Sequence, residues 1–240
     1  MCLVYIIIMR LYTYPPSGVR WRYILRKMND PVRDCEHEII DCGVYQLLNP
    51  PYRYTDEFLD MWRGLEPNGW KVVPDFPDIH GEFGGDKVID NVEESWRLLV
   101  ELYDPDDESH LPVIQSRYHD IHSHRDYLKR FQREYGDVER VAVGTAPKAR
   151  YRMFVEKALM EVREAFPDAW VHALGLNGRY LWAAAKYVDS FDTMSWTYPR
   201  GRGRGSARSK NERIIFFYEY VDSCACKCEK VGVVWDDGFW

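Results

Sequence analysis

The strongest constraint on this chain is a repeated alternation of short apolar runs with amphipathic helical stretches. The runs fall at Val4–Met9, Glu38–Asp41, Lys71–Pro74, Pro112–Gln115, Arg140–Val143, Trp170–Leu174, Ser190–Thr193 and Ile214–Tyr220. Several are apolar without interruption, as parallel strands buried on both faces are. Helices are predicted at Thr55–Arg63, Asn91–Tyr103, Ser123–Glu134, Lys148–Ala165 and Gly178–Lys186. The fourth is the clearest: Met153, Val155, Ala158, Leu159, Val162 and Ala165 supply an apolar face, Glu156, Lys157, Glu161, Arg163 and Glu164 suit solvent, and Pro167 ends it. Such alternation builds a parallel α/β sheet, either doubly wound or closed on itself. A chain of 240 residues fits a compact (β/α)8 TIM-type barrel, read as one domain over residues 1–240. A Rossmann sheet is disfavoured, because no Gly-x-Gly-x-x-Gly follows a strand and opens a helix.

Charge and cysteine usage narrow the function classes. A net charge of −6 argues against a protein that coats nucleic acid non-specifically, but it allows a local basic site. Arg200, Arg202 and Arg204 lie in a Gly-rich basic stretch over residues 199–210, which reads either as a solvated linker or as a phosphate-contacting loop. The apolar run at the start is too short to span a bilayer and has no basic region before it, so the expectation is a cytoplasmic protein with no membrane partner. Cys224, Cys226 and Cys228 alternate in one segment, which is poor spacing for disulfides. Reduced thiols are the better reading, either on a metal or as a Cys-rich segment without one.

In a parallel barrel the chemistry sits where strands end. Here those ends carry Asp41-Cys42-Gly43, Asp75-Phe76, Gln115-Ser116, Gly144-Thr145, Gly175-Leu176-Asn177 and Asp192. Asp192 stands out, since Phe191 precedes it and Met194 and Trp196 follow, and a carboxylate so placed is costly to bury without a partner or a task. Two carboxylates at a sugar carbon can run glycosyl transfer through a covalent intermediate. A third can accept hydrogen bonds from a guanine-like edge, with Gln115 and the backbone near Gly144 meeting its carbonyl. Tyr45 and Phe76 suit either purine stacking or core packing. His172, inside an apolar strand, reads as a hydrogen-bonded core residue. His119, His122 and His124 read as residues of an exposed turn.

In order, these motifs resemble the tRNA-guanine transglycosylases and their DpdA-type DNA-modifying relatives, from about Ile39 to Cys228. Asp41-Cys42-Gly43-Val44-Tyr45-Gln46 is similar to that family's Asp-Ser-Gly-Gly-Phe-Gln segment, and Val113-Ile114-Gln115-Ser116 to its Val-Gln-Gly segment. Val188-Asp189-Ser190-Phe191-Asp192 resembles its Val-Asp-x-Phe-Asp, and Pro199-Arg200-Gly201-Arg202-Gly203 the loop that follows. The resemblance implies Asp192 as nucleophile, Asp41 as acid/base, and Asp75, Gln115 and Gly144 as base-binding residues. It further implies exchange of guanine in nucleic acid, DNA first and tRNA as the alternative, for a free 7-deazaguanine base. A structural Zn2+ on Cys224, Cys226 and Cys228 would follow, with no organic cofactor; a homodimer is left open. Cys42 and Val44 depart from the family pattern, and no His follows the cysteines. The rival readings are a nucleoside or sugar hydrolase with the same carboxylates, and a non-catalytic nucleic-acid binding module.

Overall fold

The computed structural model describes residues 8–43, 53–78, 90–197 and 209–239. Among the described residues ten strands lie in two parallel sheets. One holds β1 (Ile8–Tyr12), β6 (Val113–Ile114), β7 (Arg140–Val143), β8 (Trp170–Ala173), β9 (Ser190–Asp192) and β10 (Val234–Trp235), in the order β10-β1-β9-β8-β7-β6. The other runs β2 (Tyr23–Lys27), β3 (His37–Asp41), β4 (Gly69–Val72) and β5 (His110–Leu111) in sequence order. The sheets meet at two seams. Pro112, which has no N–H to give a ladder, separates β5 on β4 from β6 on β7. At the other seam a single parallel bridge joins Thr13 to Ile24, with Thr13 N donating to Tyr23 O and Leu25 N to Thr13 O.

The sheets face one another across an aromatic interior. Trp70 of β4 meets Trp170 of β8 at 5.7 Å between ring centroids, and Tyr12 lies edge-on to both His37 and His172. The Arg10 guanidinium lies over Tyr23 and Trp170. Asp236, just beyond β10, accepts from Arg10, Arg22 and Tyr23 and so neutralises the end of this interior away from the strand C-termini.

Helices α1 (Asp56–Arg63), α2 (Asn91–Leu102), α3 (Ile121–Tyr135), α4 (Thr145–Lys148), α5 (Arg152–Ala165), α6 (Leu181–Ala184) and α7 (Lys210–Glu229) complete the described residues. Thr55, Asp90 and Asp120 cap α1, α2 and α3 by accepting backbone N–H bonds in the first turn. Among these residues no helix is long and apolar enough to cross a membrane.

Two expectations need correction. Ile214–Tyr220 is not a strand but part of α7, which opens on a capping box between Ser209 and Glu212. Its buried residues Phe217, Val221, Cys224 and Cys228 follow helical spacing along one face. β2 was not anticipated: its Arg26 is masked as a strand residue by its charge, which the structure satisfies with Glu38 of neighbouring β3 at 2.6 Å. Of the first predicted run, only its last residues fall within the described part, where β1 extends it to Tyr12.

Candidate functional site

Ordered strands carry their polar ends to one side, where a cavity of about 1100 Å³ opens. Asp41, Asp75, Lys148, Gly175 and Asp192 line it, with Arg26, Lys27 and Arg213 among the other lining residues.

Asp192 closes β9 and is 8% exposed. One carboxylate oxygen, Oδ1, accepts from the Gly175 backbone N–H at 2.7 Å and lies 3.3 Å from His172 Nε2. Among the described residues nothing hydrogen-bonds its other oxygen. His172 is in turn held by Ser190, whose Oγ is 2.7 Å from Nδ1 and 2.8 Å from the Trp170 indole nitrogen. An indole N–H only donates, so Ser190 accepts from Trp170 and is free to turn its own hydroxyl hydrogen to His172 Nδ1. A neutral imidazole then carries its proton on Nε2, directed at Asp192. The expectation of a hydrogen-bonded core histidine thus misses one thing: the bond reaches the site.

Asp41, at the end of β3, is half-buried and accepts from Gly43 N at 3.1 Å. Burial pushes its carboxyl up; Lys148 opposes the rise and Asp192 adds to it. Asp41, Asp192 and Lys148 therefore share the cavity.

Asp75 is more deeply set. Burial raises its carboxyl to about 6, against the pull of Lys148 and of hydrogen bonds from Cys42 and Gln115. Cys42 Sγ lies 3.3 Å from Oδ1, and the Gln115 amide donates to Oδ2. Gln115 Oε1 accepts from Thr145 N at 3.0 Å and Thr145 Oγ1 at 2.8 Å. Gln115 therefore orients Asp75 and the turn after β7, rather than presenting an unpaired amide to the cavity. Gly144 N–H is bonded to Ile114 O at 2.9 Å. What Gly144 supplies is room: a Cβ there would stand 2.1 Å from Gln115 Nε2.

Lys148 was missed by sequence reasoning. It ends the one-turn α4, and its stem crosses Gly175, whose φ of +66° and lack of a side chain admit it; a Cβ would stand 2.5 Å from Lys148 Cε. It makes no ion pair with a described residue. The available signal was a lysine a few residues beyond a strand-ending glycine, in a stretch without acids.

Other predicted residues lie elsewhere. Phe76 is a core side chain, edge-on to Tyr54, and does not line the cavity. Tyr45, Arg200, Arg202 and Arg204 lie outside the described residues. α7 separates the three cysteines: Cys224 and Cys228 are buried, with thiols pushed up to about 12, mainly by burial, while Cys226 is exposed. Thiols on opposite sides of a helix do not converge on one ion, and among the described residues no group of three metal-ligating side chains is found. The segment does not fit the zinc site that the resemblance implied. The three histidines also diverge: His122 is exposed, whereas His124 is buried against Ala158 O, and burial lowers it to about 4.

Fold and site together define a parallel α/β protein with a cavity of carboxylates and cations at its strand ends. No family model and no curated protein matches the chain. A solved structure described as "Native KDPGal structure" is similar at a TM-score of 0.34 and 12% identity, covering 90% of this chain and 95% of that one, and this likeness carries no argument about activity. The resemblance to tRNA-guanine transglycosylases is overturned: neither a family model nor a curated protein of that family matches the chain. The physical reason is general. Asp and Gly after a buried strand recur wherever parallel strands turn into helices, so motifs that short align without common descent.

Proposed function

We propose that the chain is a glycosyl-transfer enzyme acting on an N-glycoside, with Asp192 as nucleophile and Asp41 as acid/base. The carrying observation is the asymmetry of Asp192: one oxygen is bound by Gly175 and His172, and the other has no described hydrogen-bond partner. A carboxylate oriented through one oxygen keeps the second for attack.

Asp192 Oδ2 attacks C1′, the C1′–N bond breaks, and its electron pair leaves with the base, which takes a proton from Asp41. Burial raises the carboxyl of Asp41, which favours the protonated form that gives up this proton. In the second half an acceptor N–H or O–H attacks C1′, gives its proton to Asp41, and releases Asp192. Asp75, whose carboxyl is raised to about 6, supports binding of a nitrogen-rich leaving group. Lys27, Arg213 and Lys148 line the same cavity and suit a phosphorylated sugar. We place this site at the C-terminal mouth of a closed eight-stranded barrel, a reading supported by the bridge at Thr13 and the strand interrupted at Pro112.

With a free base as acceptor the reaction is base exchange, and guanine replaced by a 7-deazaguanine in DNA or tRNA is its narrow form. With water as acceptor it is hydrolysis. The test is incubation of the protein with labelled guanine and DNA, tRNA or free nucleosides, followed by denaturing gels for a covalent adduct. Label incorporation or base release that disappears in Asp192→Ala is expected. Undiminished turnover by Asp192→Ala would remove the assignment.

A further inference from the structure

We infer that the loops after β7 and β8 form a docking surface for a single polynucleotide strand, leading into the carboxylate cavity. The inference rests on the N-glycoside reading and names the form in which the substrate arrives. Each loop begins with cavity residues: Lys148 in one, Leu174 and Gly175 in the other. Each then exposes cations beside a ring, Arg150-Tyr151-Arg152 in the first and Arg179 and Trp182 in the second, where Tyr180 and Leu181 between them pack in the core.

The loops are tied together. Arg179 Nη2 and Tyr180 Oη both donate to Arg150 O, so the two arginine-aromatic segments form one surface. Arg152 lies 3.7 Å over the Trp182 ring, and His119 packs 4.4 Å from Tyr151. Tyr151 is nonetheless 67% exposed and Trp182 38%, an unusual display for large rings in the absence of a partner. The charge is one-sided. In a chain of net charge −6, residues 140–155 and 169–188 contain no Asp or Glu. Glu156, paired with Arg152 at 3.3 Å, marks the edge. Arginines that track phosphates, beside rings on which bases stack, are what a single strand requires, and neither feature selects sequence.

The test uses fluorescence anisotropy of the full chain with a fluorescein-labelled single-stranded DNA or RNA oligonucleotide, titrated over a range of salt. Wild type is compared with Arg150→Ala/Arg152→Ala/Arg179→Ala, with Tyr151→Ala, and with Arg133→Ala at the far end of α3 as control. Loss of three phosphate contacts makes the slope of log K against log salt shallower by about 2. Tyr151→Ala weakens binding about tenfold with the slope unchanged. Wild-type-like binding by the triple variant, no binding by wild type, or capture of phosphatidylserine vesicles in preference to the oligonucleotide each overturns the inference. Failure of the chemistry reads differently, in turnover and not in anisotropy. Turnover of free nucleosides without strand binding sinks the surface alone, and strand binding without any glycosyl chemistry sinks the reaction alone.

Discussion

His172 Nε2 stands 3.3 Å from Asp192 Oδ1, and the opposite ring nitrogen stands 2.7 Å from Ser190 Oγ. These bonds run between β8 and β9, which pair at His172 and Ser190, so register alone sets the imidazole beside the carboxylate. Trp170, two residues earlier on β8, supplies the donor that orients Ser190. Ser190→Ala removes the acceptor of Trp170 and the donor to His172, leaving two interior groups unpaired. Destabilisation of about 1–3 kcal/mol is expected from urea unfolding midpoints. Turnover is expected to fall with KM little changed, because the geometry of Asp192 is affected and not the walls of the cavity. An unchanged midpoint would contradict the hydrogen-bond chain.

Gly144→Ala tests the packing of Gln115. The added methyl would meet Gln115 Nε2 and Cδ at 2.1 and 2.5 Å, forcing the amide off Asp75 and Thr145. A loss of about 1–3 kcal/mol is expected. Combining it with Gln115→Ala should lose less than the sum of the two single changes, because the clash and the lost bonds concern the same side chain. Strict additivity in the double-mutant cycle would show that Gln115 moves aside freely.

Asp75 makes stability depend on pH. Its folded carboxyl is raised to about 6 from the usual 3.8, so the folded state holds a proton that the unfolded chain releases between those values. Stability from this group is therefore full below about pH 4 and lost as pH rises through 6, by at most about 3 kcal/mol. Asp41 shifts in the same direction, so the informative quantity is wild type minus Asp75→Asn. That difference should move in the variant's favour across this window in denaturant titrations at stepped pH. A difference independent of pH would show that Asp75 is charged throughout.

Lys148→Met removes the cation that opposes the rise of both Asp41 and Asp75. Each carboxyl should then hold its proton to higher pH. The alkaline limb of the kcat/KM profile, on which Asp41 loses the proton it gives to the leaving base, should move upward in pH. The expected result is a displaced limb, measured on whichever N-glycoside the wild type turns over. A profile that falls in amplitude without moving would assign Lys148 to substrate binding alone.

The cysteines of α7 separate by exposure. Cys226→Ser should remove a rapidly maleimide-reactive thiol, whereas Cys224→Ser and Cys228→Ser should leave fast labelling unchanged until denaturant is added. Chelation with EDTA should leave Tm unchanged. A Tm that drops on chelation would restore a structural metal.

Asp192, Asp41 and Asp75 were legible in the sequence because a carboxylate directly after an apolar run is costly without a role, and strand ends are where such roles are filled. The carboxylates' supports were not. His172 and Ser190 meet only through strand register, and Lys148 reaches the cavity only because Gly175 lets its stem pass. The error at Ile214–Tyr220 is instructive. β-branched and aromatic residues there imitate a strand, but the Ser209–Glu212 capping box and the spacing of Phe217, Val221, Cys224 and Cys228 are helical signals already present in the letters.

β1 takes its neighbours from the far end of the chain. It pairs with β9 and β10, and Arg10 meets Asp236 across 226 residues of sequence. Apart from the bridge from Thr13 to Ile24, synthesis from the N-terminus therefore makes this strand long before the strands that flank it, and closing so long a loop slows folding. The nascent chain must carry an unpaired strand and an unneutralised Arg10 until Asp236 has emerged. A ribosome-bound chain halted before Val234 should therefore be cut by protease within its first strand, and the released full-length chain should resist.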